Sequence, residues 1–373
     1  YLVALAWSMR HIYDTAAGET FWAASDIGWV VGHSYIVYGP LVQGCTTLLY
    51  EGKPVGTPDA GAYWRIIESH RVATLFTAPT AIRAIKREDP DGHHMTSVKL
   101  HSLRALFLAG ERADPDTVHW ASKALGVPVI DHWWQTETGW PMVANGLGFK
   151  TLPIKAGSPT LPVPGFDIVV LNNEGRVLGA HKQGSLAVRL PLPPGCLPTL
   201  WNNDDGFCSA YLREHPGYYT TGDGGYVDED GYVFVMGRID DVINVAGHRL
   251  STGELEQALA SHVAVAECAV IGVADALKGT VPVGLVVLKA GVTTSATEIA
   301  LELIARVRSE VGPVASFQRC HIVSRLPKTR SGKVLRATMR AIADDRPYEV
   351  PATIEDPDAL DEIRHLLSRS ISR

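Results

Sequence analysis

Closely spaced cysteines are missing from this sequence. Its five cysteines are scattered, with no Cys-x-x-Cys spacing and no ligand-like pairing with histidine: Cys45, Cys196, Cys208, Cys268 and Cys320. Zinc sites and disulfide scaffolds typically show such spacings. We therefore expect neither of them, and the pattern fits a reducing compartment such as the cytoplasm.

Runs of basic residues and long apolar runs are missing as well. The formal net charge of -6 argues against a nucleic-acid partner and against an anionic membrane surface. No apolar stretch reaches the length that a membrane-spanning helix needs. The basic residues near Arg249 and Lys333 are local, so a phosphorylated small molecule is the better candidate partner. No feature of the sequence indicates an oligomeric state.

The sequence also lacks an initiating methionine. It begins at Tyr1, and residues 1–7 are typical of the middle of a helix. We expect that the natural protein has a preceding part, in which any targeting peptide would lie. The start of this sequence therefore says nothing about location, and the scattered cysteines carry the expectation of the cytoplasm, or of the mitochondrial matrix if the source is a eukaryote.

Short apolar runs alternate with helical patterns over residues 1–154, which predicts the α/β part of a larger domain. The runs typical of buried parallel strands are residues 73–77, 105–108 and 127–130, with helical spacing at 60–70 and 114–125. Each run leads directly into an unusual segment, at residues 78–80, 109–112 and 131–134. Open α/β sheets bind ligands outside the carboxyl ends of their strands, so we expect a site there.

Two further regions differ from the first in their pattern of apolar, proline and glycine residues. Residues 155–239 carry short alternating runs broken by proline and glycine, which predicts a small antiparallel, barrel-like sheet. Residues 240–373 predict a smaller α+β domain, with a capping box at 251–254, strands at 266–273 and 281–289, and a helix at 296–310. The expected fold class is α/β, with this second domain mobile about a hinge near Asp240.

Four short motifs occur in order along the chain. They are Trp-Trp-Gln-Thr-Glu-Thr-Gly at 133–139, Tyr-Thr-Thr-Gly-Asp at 219–223, Gly-Arg-Ile-Asp-Asp at 237–241 and Pro-Lys-Thr-Arg-Ser-Gly-Lys at 327–333. Each is weak alone. In this order they resemble the signature of the acyl-adenylate-forming enzymes, which include acyl-CoA synthetases, luciferase and peptide-synthetase adenylation domains. Segments 29–35, 50–54, 77–80, 131–139 and 244–249 resemble the acetyl/propionyl-CoA synthetase branch, the propionyl-CoA synthetases most of all.

The resemblance implies a reaction in which two anions meet. A carboxylate attacks the α-phosphate of ATP, so the site must offer cations and a metal. By resemblance, Lys333 contacts both reacting groups, Glu137 holds Mg²⁺ and Thr136 hydrogen-bonds a phosphate. Lys333 is also a common target of reversible acylation in related enzymes, which implies a regulatory acylase and deacylase as partners.

The resemblance also implies a set of nucleotide-binding residues. They are Gly110, Glu111, Arg112, Asp131, His132, Trp133, Gln135, Asp223, Arg238 and Arg249. Trp133 would stack on the adenine, which is worth roughly 1–3 kcal/mol, Asp131 would reach its exocyclic amine and Asp223 would accept from the ribose. Two alternatives stay open: Trp133 as a core aromatic, and Asp223 as part of a simple turn.

CoA is the third cofactor that the resemblance implies. The second domain would rotate about Asp240 between adenylation and thioester formation. Gly247 would then line the pantetheine passage, and Arg308 would meet the 3′-phosphate of CoA. One departure is Ala246, where many acetyl-CoA synthetases carry serine.

The predicted acyl pocket consists of Trp29, Val30, Val31, Ala109 and Trp134. Trp134 would close the pocket to long chains. Ala109 stands where acetyl-CoA synthetases commonly carry valine, which favours propionate. The implied function is propionate–CoA ligase. The alternatives are an acetate–CoA ligase, an adenylation domain that loads a carrier protein, and a nucleotide-binding module without thioester-forming activity.

A second departure concerns the Ser/Thr/Gly-rich loop, ending in lysine, that wraps the β- and γ-phosphates in this family. The family places it just before the position of Tyr1, and it does not occur in this sequence. We expect residues 1–373 alone to be nearly inactive for that reason.

Overall fold

The computed structural model describes residues 1–246, 248–329 and 332–371. The chain divides into two compact units, Tyr1–Val235 and Met236–Arg373. The boundaries expected at residues 154/155 and 239/240 stay predictions.

The first unit begins with a helix and continues with alternating strands and helices. In chain order these are α1 (Leu2–His11), β1 (Thr20–Ala24), a π-helical segment (Gly32–Tyr38), α2 (Gly39–Gln43), β2 (Thr46–Thr47), α3 (Ala62–His70), β3 (Val72–Thr77), α4 (Pro79–Glu88), α5 (His93–Thr96), β4 (Ala105–Leu108), α6 (Pro115–Leu125), β5 (Val129–Asp131), β6 (Ile168–Leu171), β7 (Gly184–Arg189), α7 (Asp204–Tyr211) and β8 (Tyr218–Val227). Strand β9 (Val233–Arg238) crosses into the second unit.

A parallel sheet in the order β2-β1-β3-β4-β5 forms the centre of the first unit. All residues of β3 and β4 are buried, because the sheet is covered on both faces by apolar clusters. Strands buried on both sides read as continuous apolar runs rather than alternating ones. The predicted parallel strands are therefore confirmed, the third of them at Val129–Asp131.

A second, antiparallel sheet in the order β6-β7-β8-β9 follows in the chain. The short alternating runs expected within residues 155–239 include strands at Ile168–Leu171 and Gly184–Arg189. The turn at residues 172–175, after β6, has Gly175 at φ 73°, a left-handed conformation that glycine adopts without strain.

The second unit is built on a sheet in the order β11-β10-β13-β12, with β14 beside β13. Its elements are a 3₁₀ turn (Ile239–Asp241), β10 (Ile243–Val245), β11 (His248–Leu250), α8 (Thr252–Ala260), β12 (Val265–Asp275), β13 (Gly279–Leu288), α9 (Ala296–Glu310), a 3₁₀ turn (Pro313–Ala315), β14 (Arg319–Ile322), α10 (Arg336–Ala343) and α11 (Asp358–Ile371). Helices α8 and α9 pack in one apolar cluster, and α10 and α11 in another.

The sequence predicted α8, β12, β13 and α9 of this unit, but not β10, β11, β14 or α10. Helix α9 has the predicted bounds, and Ser251 caps α8 by accepting a hydrogen bond from the Gly253 amide. Helix α11 was not predicted. Its apolar residues Leu360, Ile363 and Leu367 complete the cluster against α10.

Candidate functional site

The carboxyl ends of β4 and β5 place two predicted site segments side by side. Leu108 pairs with Asp131 across the strands, and Gly110 follows with φ 97°. Gly110 is exposed and a Cβ there would meet nothing within 4 Å, so the backbone angle explains the glycine better than lack of space. Burial raises the pKa of the Asp131 carboxyl to about 8, against the opposing effect of Arg112. Burial therefore disfavours the ionised form of the carboxyl group at this edge of the sheet.

Glu111 is held by a network from the neighbouring helix α4. Its Oε1 accepts hydrogen bonds from the Thr80 amide at 2.9 Å and from Arg83 Nη2 at 2.6 Å. Arg83 also donates to Asp114 Oδ2 at 3.1 Å. The carboxylate beside Gly110 is thus paired and fixed in position by α4 and by the N-terminus of α6.

His132 lies in the core, where both ring nitrogens have partners. Nδ1 is 2.7 Å from the Leu108 carbonyl oxygen, so it donates, and Nε2 accepts from the Tyr13 hydroxyl at 2.8 Å. Burial lowers the pKa of His132 to about 4, which keeps the ring neutral. The contact between His132 and a nucleotide stays a prediction. Because both ring nitrogens already have partners, such a contact would use the main chain of His132.

The first two motifs meet at Asp223. This carboxylate is buried in β8, and its Oδ2 accepts hydrogen bonds from Trp133 Nε1 at 3.0 Å and from Gln135 Nε2 at 2.8 Å. Gln135 also donates to the Thr221 carbonyl at 2.7 Å, and its Oε1 accepts from the Tyr219 hydroxyl at 3.0 Å. We call Trp133, Gln135, Tyr219 and Asp223 the Asp223 network. In this network, two neutral N–H donors fix the orientation of the Asp223 carboxylate.

Trp133 takes part in this network as a buried side chain. It is 9% exposed and packs in the main apolar cluster of the first unit. This burial agrees with the alternative, left open by the sequence, that Trp133 is a core aromatic residue. Its stacking on adenine stays a prediction.

Thr136 and Glu137 follow on the same loop, toward solvent. Thr136 is exposed, whereas Glu137 is half-buried and its Oε1 accepts from the Tyr211 hydroxyl at 2.8 Å. Tyr211 in turn stacks on Tyr219, with ring centroids 5.5 Å apart. Glu137 is therefore connected to the Asp223 network through two aromatic rings.

Glu137 has the donor type that Mg²⁺ prefers, since Mg²⁺ binds hard oxygen ligands. Within residues 1–246, 248–329 and 332–371 no group of three acidic, histidine or cysteine side chains could hold a metal ion together. Glu137 would hold Mg²⁺ together with substrate phosphates, since this ion is usually bound by one or two carboxylates plus phosphates, and this role stays a prediction.

Three of the five predicted acyl-pocket residues lie in or against one apolar cluster, and Trp29 and Val30 do not. Val31 and Ala109 are buried in it, and Trp134 packs against it. The Trp134 ring lies edge-on to Tyr35, with centroids 5.3 Å apart. Val30 is half-buried, and Trp29 is 37% exposed and lies outside the cluster. The structure thus brings Val31, Ala109 and Trp134 together.

The remaining predicted residues belong to the second unit or its border. Arg238, Arg308 and Lys333 are exposed, at the end of β9, near the end of α9 and in the loop before α10. Gly247 lies outside the described residues, as do the side chains of Asp240 and Arg249, whose backbones lie in a 3₁₀ turn and in β11. Ala246 has φ 49° in the turn between β10 and β11.

Comparison with protein families gives two matches. The family described as AMP-binding enzyme matches residues 1–193, and the AMP-binding enzyme C-terminal domain matches residues 254–333. The first match alone covers more than half of the chain. The chain belongs to the AMP-binding enzymes. The predicted resemblance to the acyl-adenylate-forming enzymes is confirmed.

Three curated relatives are similar to nearly the whole chain, and two of them are named as short-chain acyl-CoA synthetases or ligases. An uncharacterized protein of Pseudomonas aeruginosa is 59% identical over 98% of this chain and 58% of its own length. The mouse mitochondrial acyl-CoA synthetase short-chain family member 3 is 50% identical over 100% of this chain and 54% of its own. The propionate–CoA ligase of Escherichia coli K12 is 46% identical over 98% and 59%. The chain spans slightly more than half the length of these relatives.

Among solved structures, an anthranilate CoA ligase has a TM-score of 0.80 and 24% identity, over 92% of this chain and 63% of that one. At this identity the likeness concerns the fold, and it confirms the predicted α/β class. No helix in the described parts of the chain is long and apolar enough to cross a membrane.

Sequence reasoning missed several residues that surround the site of this AMP-binding enzyme. Arg83 and Asp114 orient Glu111, Tyr211 and Tyr219 connect Glu137 with Gln135, and Tyr13 fixes His132. Of these residues only Tyr219 lies in a motif, the one at 219–223, and no role was expected for its hydroxyl. The only available signal was position, because Arg83 follows one strand-end segment and Asp114 follows another.

Proposed function

We propose that the full-length protein ligates a short-chain carboxylate to CoA, through an acyl-adenylate, with release of AMP and diphosphate. The observation that carries this proposal is the Asp223 network. It joins two family motifs in one buried hydrogen-bonded group, and Glu137, half-buried, is connected to that group through Tyr211. The names of the mouse and E. coli relatives support the same activity.

Each proposed role follows from the chemistry of the side chain. Asp223 accepts from the ribose hydroxyls, and the fixed orientation of its carboxylate favours directional hydrogen bonds. Glu137 would hold Mg²⁺, which supplies charge stabilisation to the phosphates when bound, and the exposed Thr136 hydroxyl donates to a phosphate. Arg112, Arg238 and Arg249 bring guanidinium groups suited to phosphate.

Lys333 supplies the second cation. Its ammonium would stabilise charge on the carboxylate and the α-phosphate as the new bond forms. Its exposed position in the second unit suits a group that acts in one half-reaction only and is withdrawn for the next. We propose Asp240 as the hinge, Gly247 and Arg308 as CoA contacts, and an acylase and deacylase acting on Lys333 as regulatory partners.

We propose propionate as the carboxylate. The acyl chain would lie beside Ala109, Val31 and the Trp134 ring, which belong to or pack against one apolar cluster, and the small Ala109 side chain would accept one carbon more than acetate has. Acetate is the second candidate substrate. The proposed location is the cytoplasm, or the mitochondrial matrix in a eukaryote, which the scattered cysteines favour.

Exchange between ATP and labelled diphosphate, run with the full-length protein over acids of increasing length, tests the proposal. We expect exchange that depends on a short-chain acid, and acyl-CoA with AMP once CoA is added. Release of ADP and phosphate would contradict the reaction. Exchange without any thioester would indicate the adenylation-only alternative instead.

A further inference from the structure

The loop that carries Lys333 is closed by its own backbone. The Thr329 amide donates to the Lys333 carbonyl at 2.9 Å, the Lys333 amide donates to Thr329 Oγ1 at 3.1 Å, and the Leu335 amide donates to the Pro327 carbonyl at 2.9 Å. Thr329 and Val334 are buried, whereas Lys333 is exposed between them. Lys333 is therefore an exposed residue of the loop, and the loop is held by the buried residues on either side of it, which we call its two flanks.

An ion pair ties the first flank to the sheet. Lys328 Nζ donates to Glu267 of β12, and the side chains are only 14% and 7% exposed. A buried pair of this kind has a large desolvation cost, and the loss of one partner leaves an uncompensated charge. A buried ion pair often adds little to the stability of the fold. We therefore interpret the Lys328–Glu267 pair as a contact that holds the loop in one geometry.

A second ion pair ties the other flank. Arg336, at the start of α10, binds both carboxylate oxygens of Glu256 in α8, at 2.8 Å and 3.0 Å from Nη2. Glu256 Oε1 also accepts from the Val270 amide of β12 at 2.9 Å. Planar guanidinium–carboxylate pairs of this type fix orientation as well as distance. Lys333 thus lies between two anchored residues, five positions after one and three before the other.

The C-terminal segment adds a third contact at the base of the loop. Thr329 bridges to Ile354, and the Glu355 amide donates to the Lys328 carbonyl at 2.9 Å. Ile354 is buried in the same cluster as Val334. The backbone next to Lys328 is therefore held from a second side, in addition to the ion pair.

We propose that the Lys328–Glu267 and Arg336–Glu256 pairs, together called the loop anchor, are positioning devices for Lys333. The anchor acts through the loop and not on the substrate, so its four residues are positioning residues. The inference rests on the proposed function, in which Lys333 acts in adenylation and is not needed in thioester formation. A displacement of about 1 Å can lower a rate by about a hundredfold. Loosening the anchor should therefore slow adenylation selectively.

The test uses the full-length protein with Lys328→Met and Glu267→Gln combined. This double variant removes both charges and so avoids a lone buried one. We expect acid-dependent ATP–diphosphate exchange to fall about tenfold or more, while CoA thioester formation from supplied acyl-AMP changes less than about twofold. Lys328→Arg, which keeps the charge, should retain most of the exchange.

The matched control is Lys155→Met with Asp228→Asn. This is also a lysine–carboxylate pair with a buried acid, 2.5 Å apart, but it lies in the first unit at the β8–β9 turn. We expect both half-reactions of the control to stay near those of the native protein.

Three outcomes would overturn the loop anchor. They are an unchanged exchange rate in the double variant, an equal loss in both half-reactions, and an equal selective loss in the control. If the double variant does not fold, Glu267→Asp replaces it, and faster hydrogen exchange at the Thr329 and Lys333 amides with selectively slower adenylation is then required. Failure of the native protein to carry out either half-reaction would instead refute the proposed function.

Discussion

The Gln135 side-chain amide donates a hydrogen bond of 2.8 Å to the Asp223 carboxylate, across 88 residues of sequence. The same oxygen accepts from the Trp133 indole at 3.0 Å. Two motifs that look independent in the sequence are therefore one hydrogen-bonded unit in the fold. A buried network of this kind is stable only when its members are all satisfied. A substitution in one motif should therefore alter the position of the hydrogen-bonded side chain in the other motif.

Trp133→Phe tests this connection. The substitution keeps an aromatic ring in the core but removes the N–H that binds Asp223. A hydrogen bond to a charged group contributes about 1.5–3 kcal/mol, so we expect the KM for ATP to rise about tenfold or more. The KM for ATP is measured by steady-state kinetics of the full-length native and Trp133→Phe proteins at saturating carboxylate and CoA. The KM for the carboxylate should change much less.

The control for Trp133→Phe is Trp140→Phe, at another buried indole of the same cluster. It removes a similar side-chain volume without touching Asp223. An equal rise in the KM for ATP in both variants would mean that core packing, and not the Asp223 network, accounts for the effect.

The parallel strands were predictable because burial on both faces makes their apolar runs continuous. The Asp223 network was not, because it depends on how a loop after β5 meets β8, and residue spacing carries no information on that meeting. The same holds for Arg83, which is an ordinary helical arginine in the sequence and a partner of Glu111 in the fold. Motifs indicated which carboxylates matter, and the structure supplies the neighbours that orient them.

Tyr211→Phe tests the assignment of Glu137 to Mg²⁺. The change removes the hydroxyl that donates to Glu137 Oε1 and leaves the ring stacked on Tyr219. Loss of a partner that orients a metal ligand typically costs about 10–100-fold in metal affinity or activity. We expect the Mg²⁺ concentration for half-maximal adenylation to rise about tenfold.

Tyr218→Phe is the matched control, because Tyr218 is the neighbour of Tyr219 in β8 and its hydroxyl contacts Arg189 instead. Its Mg²⁺ dependence should equal that of the native protein. If Tyr211→Phe also leaves the Mg²⁺ dependence unchanged, Glu137 does not hold the ion through this arrangement.

Asp131→Asn should make stability less sensitive to pH between about 4 and 8. Burial raises the pKa of Asp131 from 3.8 to about 8. The folded state therefore keeps a proton that the unfolded state releases above pH 3.8, and the native protein loses stability as pH rises toward 8. Asparagine does not titrate, so the variant should become more stable than the native protein by on the order of 2–4 kcal/mol at pH 8.

Urea unfolding of both proteins at several pH values between 4 and 8 measures this difference. It should be small near pH 4 and grow steadily with pH. A difference that is constant across the range would show that the Asp131 carboxyl titrates normally in the folded protein.

The acyl pocket gives the last prediction. Propionate has one methylene more than acetate, worth about 0.8 kcal/mol when buried, and pockets discriminate one methylene by about 10–200-fold. We expect propionate to exceed acetate in kcat/KM within that range. Ala109→Val adds two methyl groups beside Val31 and should shift the preference toward acetate, whereas Trp134→Gly should admit longer acids because the ring no longer closes the cluster. Trp201→Gly, at an indole that is 91% exposed, is the control and should leave chain-length preference unchanged. An acetate preference that Ala109→Val does not move would place the acyl chain elsewhere.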